Sequence, residues 1–266
     1  MNAIARGTKQ ALAIFGLSVV SLEYVAKLRR ERLAHADKSG RLIAYLQFIA
    51  AAPADQAHAL TAAAITAESQ LGQDLFVLSE LRLKRGGNFV EFGATNGISL
   101  SNSFLLERHF GWTGILAEPA KPWHQQLRQN RACSIEEACV WTTSGATIQF
   151  SEADEAEYST ISSLKDLDNR SKKAKAYDVT TISLNDLLEK HSAPREIDYL
   201  SIDTEGSELE ILRAFDFGKH SFRVITCEHN FLPARDDIFA LLSSKGYVRK
   251  FVELSKWDDW YVAGPQ

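Results

Sequence analysis

Acidic residues stand at the ends of several apolar runs in this sequence, where a side chain can bind a ligand or take up a proton. The runs are "NFVEFG", "TGILAEP", "IDYLSIDTEG" and "RVITCEHN", and the residues are Glu91, Glu118, Asp203, Glu205, Glu228 and His229. Carboxylates bind ribose hydroxyls and hard cations, and histidine titrates near neutral pH. Simple turns would have been enough to connect these runs, so the pattern favours a site built from their ends.

The first run continues into a glycine-containing turn, "FVEFGATNG" at 89–97. Gly93 and Gly97 allow positive φ angles or close approach to a ligand, and free N–H groups are expected where a helix begins near Ile98. Glu118 follows Gly97 by 21 residues. At that spacing a carboxylate at the end of the second strand can accept hydrogen bonds from ribose hydroxyls, which predicts a ligand that contains a nucleoside.

The turn does not match the fingerprint of dinucleotide binding. That pattern requires glycine at positions 95 and 98, where this chain has Thr95 and Ile98. A pyrophosphate would also be repelled by Glu91, whereas a cation would be attracted. S-adenosylmethionine carries a sulfonium and an ammonium group and no phosphate, so the turn favours a methyl donor.

Alternating elements explain how such distant residues could meet. Residues 1–85 are expected to form a helical N-terminal region, and residues 86–266 an α/β domain. Strands are expected at 88–93, 113–119, 135–142, 197–206 and 223–230, and a helix over 97–110. This alternation predicts a mostly parallel sheet with helices on both faces, whose ligands bind beyond the carboxyl ends of the strands.

Composition and charge set further limits. Of 266 residues, 45% are hydrophobic and 24% charged, and the net charge is −4, so no duplex nucleic acid partner is expected. Cys133, Cys139 and Cys227 show no C-x-x-C spacing, which favours buried, reduced thiols and a cytoplasmic location.

The apolar segment 11–26 is too short to span a bilayer unaided, and it contains Glu23. An amphipathic helix that packs on a partner or on the main domain is the expected structure. Peripheral membrane contact and a secretory signal are the alternatives. The N-terminal helices are also a candidate contact for a homodimer.

Several motifs together resemble the FkbM-type methyltransferases, a branch of the class I enzymes that depend on S-adenosylmethionine. The motifs are "GQDLFVL", "GGNFVEFGATNGISLSNSFLLE", "GWTGILAEP", "TTISLNDLL", "IDYLSIDTEGSELEIL", "CEHN" and "GYVRKF…DDWYV". They appear in order over residues 70–262. The first 65 residues or so lie outside the resemblance.

The resemblance implies a Rossmann-like sheet of seven strands whose last strand is antiparallel, and methyl transfer to a hydroxyl of a sugar, glycan or secondary metabolite. It also implies the residues that hold the donor, which are Glu91, Gly93, Asn96, Gly97, Asn102, Glu118 and Asp203. Gln73 and Asp74 are weaker candidates that would close the site from outside.

A base or a metal ion near the acceptor hydroxyl would assist methyl transfer. Asp203, Glu205 and His229 are the expected catalytic residues, with His229 as a general base and Asp203 as a base or a metal ligand. Asp203, Glu228 and His229 are the expected ligands of Mg²⁺ or another divalent cation. Structural roles are the alternatives, with Asp203 capping a helix and His229 hydrogen-bonded at the end of a strand.

Two other functions are compatible with a sheet of this kind. A nicotinamide-dependent oxidoreductase is disfavoured by the missing glycines at positions 95 and 98. A non-catalytic nucleoside-binding module is disfavoured because Glu91, Glu118, Asp203 and His229 are all present. Trp257 and Trp260 are candidates either for stacking on a sugar or for core packing.

Overall fold

The computed structural model describes residues 38–153, 160–161 and 174–265. The segment 11–26, with its expected amphipathic helix and membrane contact, lies outside the described residues. Backbone contacts divide the chain into two units, Met1–Ile43 and Ala44–Gln266, and the sheets and the cavity described below belong to the second. None of the helices formed by the described residues is long and apolar enough to cross a bilayer. The expected boundary between residues 85 and 86 stays a prediction.

The helices of the described chain are short. They are residues 38–51 (α1), Ala57–Ala64 (α2), Gln73–Glu80 (α3), Phe104–Phe110 (α4), His124–Asn130 (α5), Leu184–Lys190 (α6), Glu208–Ala214 (α7) and Ala234–Ser244 (α8). Single 3₁₀ turns at Ala54–Gln56 and Lys121–Trp123 lead into α2 and α5.

The strands are Asn88–Phe92 (β1), Thr113–Ala117 (β2), Ser134–Glu136 (β3), Cys139–Trp141 (β4), Thr147–Ala153 (β5), Thr160–Ile161 (β6), Ala174–Ser183 (β7), Glu196–Ile202 (β8), Ser221–Glu228 (β9), Tyr247–Lys250 (β10) and Asp258–Ala263 (β11). Seven of them form one sheet in the order β10-β11-β9-β8-β1-β2-β3. Strand β11 runs antiparallel to both β9 and β10, whereas the β9-β8-β1-β2-β3 pairings are parallel. The seven-stranded sheet with an antiparallel last strand is therefore confirmed.

The sheet separates two apolar cores, because alternate residues of each strand point to opposite faces. On β1, Val90 and Phe92 pack into one core with residues of α6, α7 and α8. Phe89 packs into the other core with residues of α1, α3, α4 and α5. Both faces of the central strands are thus covered by helices, which accounts for their nearly continuous apolar sequence.

Four strands form a second sheet in the order β4-β7-β5-β6. The single strand expected at 135–142 is wrong in this respect, because residues 134–136 and 139–141 join different sheets. Phe150 of β5 and Ile161 of β6 form a small third core with Cys139 and Val179. This core lies next to the carboxyl ends of β1 and β2, where Ala120 joins it.

Two turns at the same edge differ from the sequence expectation. The helix expected over 97–110 begins only at Phe104, and residues 98–103 form a loop that pairs with Ser69 through Leu100. After β8, Thr204 and Gly206 donate their backbone N–H groups to the carboxylate of Glu208. These contacts hold the turn that carries Asp203 and Glu205.

Candidate active site

A cavity of about 330 Å³ opens at the carboxyl ends of the parallel strands. Strand β11 is antiparallel, so its first residues lie at this same edge. The lining residues are Gln70, Gln73, Gly93, Thr95, Ser99, Leu100, Asn102, Glu118, Asp203, Glu205, Glu228, Asn230, Phe231 and Trp257. Four of the acidic residues singled out by the sequence therefore meet in one cavity.

Glu118 lies one residue beyond β2 and is almost fully buried at 4% exposure. One carboxylate oxygen accepts the backbone N–H of Thr95, and the other accepts that of Ala120, each at 2.8 Å. Burial, reinforced by the charge of Asp203, raises the pKa of Glu118 to about 7. A ligand that donates hydrogen bonds to this carboxylate would favour its charged form.

The glycines of the first turn are required by contacts within the protein. Gly93 has a φ of +71°, and a Cβ there would lie 2.2 Å from the backbone oxygen of Asp203. Gly97 has a φ of +80°, and a Cβ there would lie 2.7 Å from side-chain atoms of Leu127 and Arg131. Gly93 brings β1 and β8 together at the cavity, and Gly97 packs the turn against α5.

Glu91 holds the loop 98–103 in place through hydrogen bonds. It is 3% exposed, and its carboxylate accepts hydrogen bonds from the backbone N–H of Asn102 at 2.8 Å and the hydroxyls of Ser101 and Ser103. The fully buried guanidinium of Arg131 lies 4.0 Å away. In the part of the chain that the structure describes, Glu91 is not part of the cavity wall, and its carboxylate contacts other groups of the protein. The direct contact with the donor stays a prediction.

The two asparagines of this region have different positions. Asn96 accepts the N–H groups of Ile98 and Ser99 with its side-chain oxygen, which closes its own turn outside the cavity wall. Asn102 lines the cavity and donates its side-chain amide to Ser201 at 2.9 Å. Its Oδ1 is buried and accepts no hydrogen bond from the residues that the structure describes, so it is available to a donor group on a ligand.

Three carboxylates form an acidic cluster, Asp203, Glu205 and Glu228, with one oxygen from each lying within 4.8 Å of the others. Burial and then the charges of Asp203 and Glu205 raise the pKa of Glu228 well above its ordinary value. A cation bound here would relieve that repulsion. The cluster contains Glu205 where the sequence analysis placed His229.

His229 is directed away from the cavity. Its Nδ1 accepts the backbone N–H of Phe231 at 2.9 Å, and its Nε2 lies 3.8 Å from a carboxylate oxygen of Asp259. Burial lowers the pKa of His229. The structure therefore separates His229 from Asp203 and Glu228, because the chain turns at the end of β9 and the ring points toward β11.

Gln70 is a residue of the wall that sequence reasoning missed, whereas Gln73 and Trp257 are among its candidates. Gln70 lines the cavity and accepts the indole N–H of Trp257 at 3.0 Å, and Gln73 donates to Asp258 at 2.7 Å. Trp257 itself is half-buried at the cavity, whereas Trp260 is fully buried against Phe76. Gln73 lies within the motif "GQDLFVL", but Gln70 and Trp257 lie outside the motifs, and only the folded chain shows that they face the cavity.

An apolar recess adjoins the cavity. Its lining includes Ala117, Pro119, Cys139, Phe150 and Ile161. It shares Gly93 and Asp203 with the acidic cavity, so the two spaces meet at the ends of β1 and β8. A planar apolar group in the recess would lie close to Glu118, which precedes Pro119.

Comparisons with solved structures give weak likenesses. The SAH-bound methyltransferase PaMTH1 of Podospora anserina is 11% identical, covers 94% of this chain and 100% of its own, and has a TM-score of 0.43. A methyltransferase FkbM of Methylobacillus flagellatus is 12% identical with a TM-score of 0.40, and the match covers 78% of this chain and 60% of that one. The precorrin-6y C5,15-methyltransferase of Geobacter metallireducens is 15% identical with a TM-score of 0.39, covering 73% and 87%. No curated protein matches the chain in sequence.

The family comparison is decisive. The model of the methyltransferase FkbM domain matches residues 91–249, which is more than half of the chain and includes Glu118, Asp203, Glu205 and Glu228. The chain belongs to the FkbM methyltransferase family and is a methyltransferase.

Proposed function

We propose that this methyltransferase takes its methyl group from S-adenosylmethionine and transfers it to a hydroxyl of a sugar, a glycan or a secondary metabolite. Membership of the family supports methyl transfer. The observation that carries the choice of donor is Glu118, a buried carboxylate in the wall of the cavity just beyond β2.

The carboxylate of Glu118 can accept further hydrogen bonds from a ribose. Each carboxylate oxygen can accept two hydrogen bonds, and each has one from the backbone, to Thr95 and Ala120. One position on each oxygen is therefore free to accept a hydroxyl of the ribose. The apolar recess beside Pro119 and Phe150 suits one face of an adenine ring, which needs no charged partner.

The remaining part of the donor is positively charged. In the bound donor, the sulfonium supplies the methyl group in electrophilic form. Asn102 can accept a hydrogen bond from the ammonium group, because its Oδ1 is without a partner and Ser201 fixes its orientation. The carboxylate of Asp203 adds an attractive field between the recess and the cavity.

Asp203 and Glu205 are the proposed proton acceptors for the hydroxyl of the methyl acceptor. Both line the cavity on the turn after β8. Glu205 has a φ of +55° and accepts a hydrogen bond from Asn230 at 3.3 Å, which orients its carboxylate. His229 is left out of this proposal because its ring points toward Asp259.

The divalent cation stays a prediction, with an altered set of ligands. Carboxylate oxygens of Asp203, Glu205 and Glu228 lie close enough together to bind one hard cation. Such a cation would lower the pKa of an acceptor hydroxyl next to it. Its other ligands would come from water and the substrate.

Donor binding can be tested by calorimetry with S-adenosylhomocysteine. We expect Glu118→Gln to weaken the Kd on the order of 10- to 100-fold, since the variant loses charge-assisted hydrogen bonds to the ribose. Glu196→Gln is the matched control, because Glu196 is exposed at the opposite end of β8. Equal affinities of Glu118→Gln and the parent protein would rule out the ribose assignment.

Turnover can be followed as release of S-adenosylhomocysteine with a panel of hydroxylated acceptors. We expect Asp203→Asn to lower kcat by about 100-fold or more if Asp203 accepts the proton. A chelator should abolish turnover, and Mg²⁺ should restore it, if the cation is required. Full turnover of Asp203→Asn, or of chelated enzyme, would contradict the corresponding role.

A further inference from the structure

The cavity has two ends, set by the order of the strands. Strands β2 and β9 lie on opposite sides of the pair β1 and β8, so Glu118 is far from residues carried by β9 and β11. The donor proposed above occupies the end that holds Glu118 and the apolar recess. The other end, formed by Gln70, Gln73, Glu205, Glu228, Asn230, Phe231 and Trp257, is left for the acceptor.

Hydrogen bonds connect the segments that line the acceptor end. Residues 69–73, which we name the glutamine loop, contact the loop after β1 through the Ser69–Leu100 bridge. On the other side, Gln70 accepts the indole N–H of Trp257, and Gln73 donates to Asp258. The glutamine loop and Trp257 both lie outside the residues matched by the family model, 91–249. Gln70 and Trp257 also lie outside the motifs that carry the resemblance, so these two residues are candidates for features particular to this chain.

The wall at this end contains carboxyl groups and no cationic side chain. Glu205 and Glu228 line it, and none of the described residues in the cavity wall is a lysine, arginine or histidine. Of the nearby cations, Arg235 pairs with Asp259, and Lys256 is outside the wall, with its Nζ 5.5 Å from the centre of the Trp257 ring. When no cation is bound to these carboxylates, a phosphate or carboxylate on the acceptor would face like charge, and no cationic side chain of the wall would balance it.

Aromatic surface completes the acceptor end. Trp257 uses its N–H for Gln70, so what it offers the cavity is ring surface. Phe231 is 68% exposed at the same end. Aromatic rings next to carboxylates and amides suit a hydroxylated ring, whose C–H face packs on the aromatic surface and whose hydroxyls bond to the polar groups.

We propose that the acceptor end binds a hydroxylated ring that carries no negative charge, neutral or bearing an ammonium group, packed against Trp257 and positioned by Gln70. This inference rests on the proposed donor site, because that site assigns the other end of the cavity. It names the substrate class and two specificity-determining residues outside the part of the chain that the family model matches.

Binding of simple sugars to protein saturated with S-adenosylhomocysteine tests the charge preference. The probes are the neutral, amino and uronic acid forms of glucose, galactose and mannose, titrated by calorimetry. We expect at least one neutral or amino sugar to bind about tenfold or more tighter than its uronic acid. Tighter or equal binding of the uronic acids, or no binding of any neutral or amino sugar, would overturn the proposal.

Variants of Trp257 and Gln70 test whether these residues bind the acceptor. Trp257→Ala and Gln70→Ala should each weaken binding of the preferred sugar by about tenfold, and the Kd for S-adenosylhomocysteine should stay unchanged. Gln129→Ala, at an exposed position of α5, is the matched control. If Trp257→Ala does not fold, Trp257→Phe keeps an aromatic ring but loses the bond to Gln70, and should give an intermediate loss.

The measurements distinguish an incorrect donor site from an incorrect acceptor assignment. If the parent protein does not bind S-adenosylhomocysteine, the donor site is wrong. If it binds S-adenosylhomocysteine and both wall variants bind the sugar normally, the donor site stands and the acceptor assignment is overturned.

Discussion

At the scale of single residues, the first turn shows that a residue type can be required for a reason other than the ligand. The sequence suggests that Gly93 and Gly97 let a ligand approach the backbone. In the structure both have positive φ angles, and both are in close contact with other parts of the chain, the turn after β8 and helix α5. Those contacts join residues more than 25 positions apart, so the sequence pattern alone does not reveal them.

The role of Gly93 can be measured by substitution with alanine. We expect Gly93→Ala to lower the free energy of unfolding by several kcal/mol, because a positive φ costs about 1–2 kcal/mol and the new Cβ would overlap the backbone of Asp203. Gly145→Ala is the matched control, with a φ of +76° and open space around the Cβ. Denaturant unfolding measures both, and equal losses would show that the contact with Asp203 is unimportant.

At the scale of elements, helix α5 holds the loop 98–103 in place. Arg131, the residue that ends α5, donates to the backbone oxygen of Gly97 and to the hydroxyls of Ser101 and Ser103. It also pairs with Glu107 at 2.5 Å. The loop carries Asn102 and lines the cavity, so the proposed donor site depends on Arg131, a side chain that is not among the residues lining the cavity.

Replacing Arg131 should therefore affect stability and binding together. We expect Arg131→Met to lower the free energy of unfolding by about 3–5 kcal/mol, because Glu91 would be left as a buried charge without a counter-ion. The Kd for S-adenosylhomocysteine should rise as the loop loosens. Arg128→Met, in the same helix, removes only an exposed ion pair with Glu137 and should cost about 1 kcal/mol or less. Similar effects of the two changes would contradict this role.

At the scale of the whole molecule, buried carboxyl groups make stability depend on pH. Burial raises the pKa of Asp74, Glu118 and Asp258 to about 7. Each of these groups keeps its proton in the folded chain between about pH 4 and 7, whereas the unfolded chain releases it. Their contribution to the free energy of unfolding is therefore complete at low pH and is lost as the pH rises through this window. Asp259 has the opposite trend, because its arginine partners lower its pKa although it is buried.

Asp74 allows this effect to be isolated. It is fully buried, it accepts hydrogen bonds from Ser69 and Leu75 with one oxygen, and its other oxygen has no partner. The free energy of unfolding of Asp74→Asn, relative to the parent protein, should rise with pH by on the order of 1 kcal/mol per pH unit between pH 4 and 7. Asp178→Asn, at an exposed position of β7, is the control. A constant difference across this range would show that Asp74 is charged in the folded state.

The sequence by itself determined the order of strands and helices, the family, and the gathering of Glu118, Asp203, Glu205 and Glu228 at one edge. The order of the elements and the gathering of the carboxylates follow from local patterns, because apolar periodicity defines the elements and parallel strands place their carboxyl ends together. The family follows from the resemblance of the motifs. Only the tertiary structure decided which of these side chains face the cavity. Glu91 points to the loop 98–103, Asn96 closes its own turn, and His229 turns toward Asp259. Gln70, which precedes β1, and Trp257, which precedes β11, both line the cavity. Such choices depend on packing between residues distant in sequence, which no local pattern encodes.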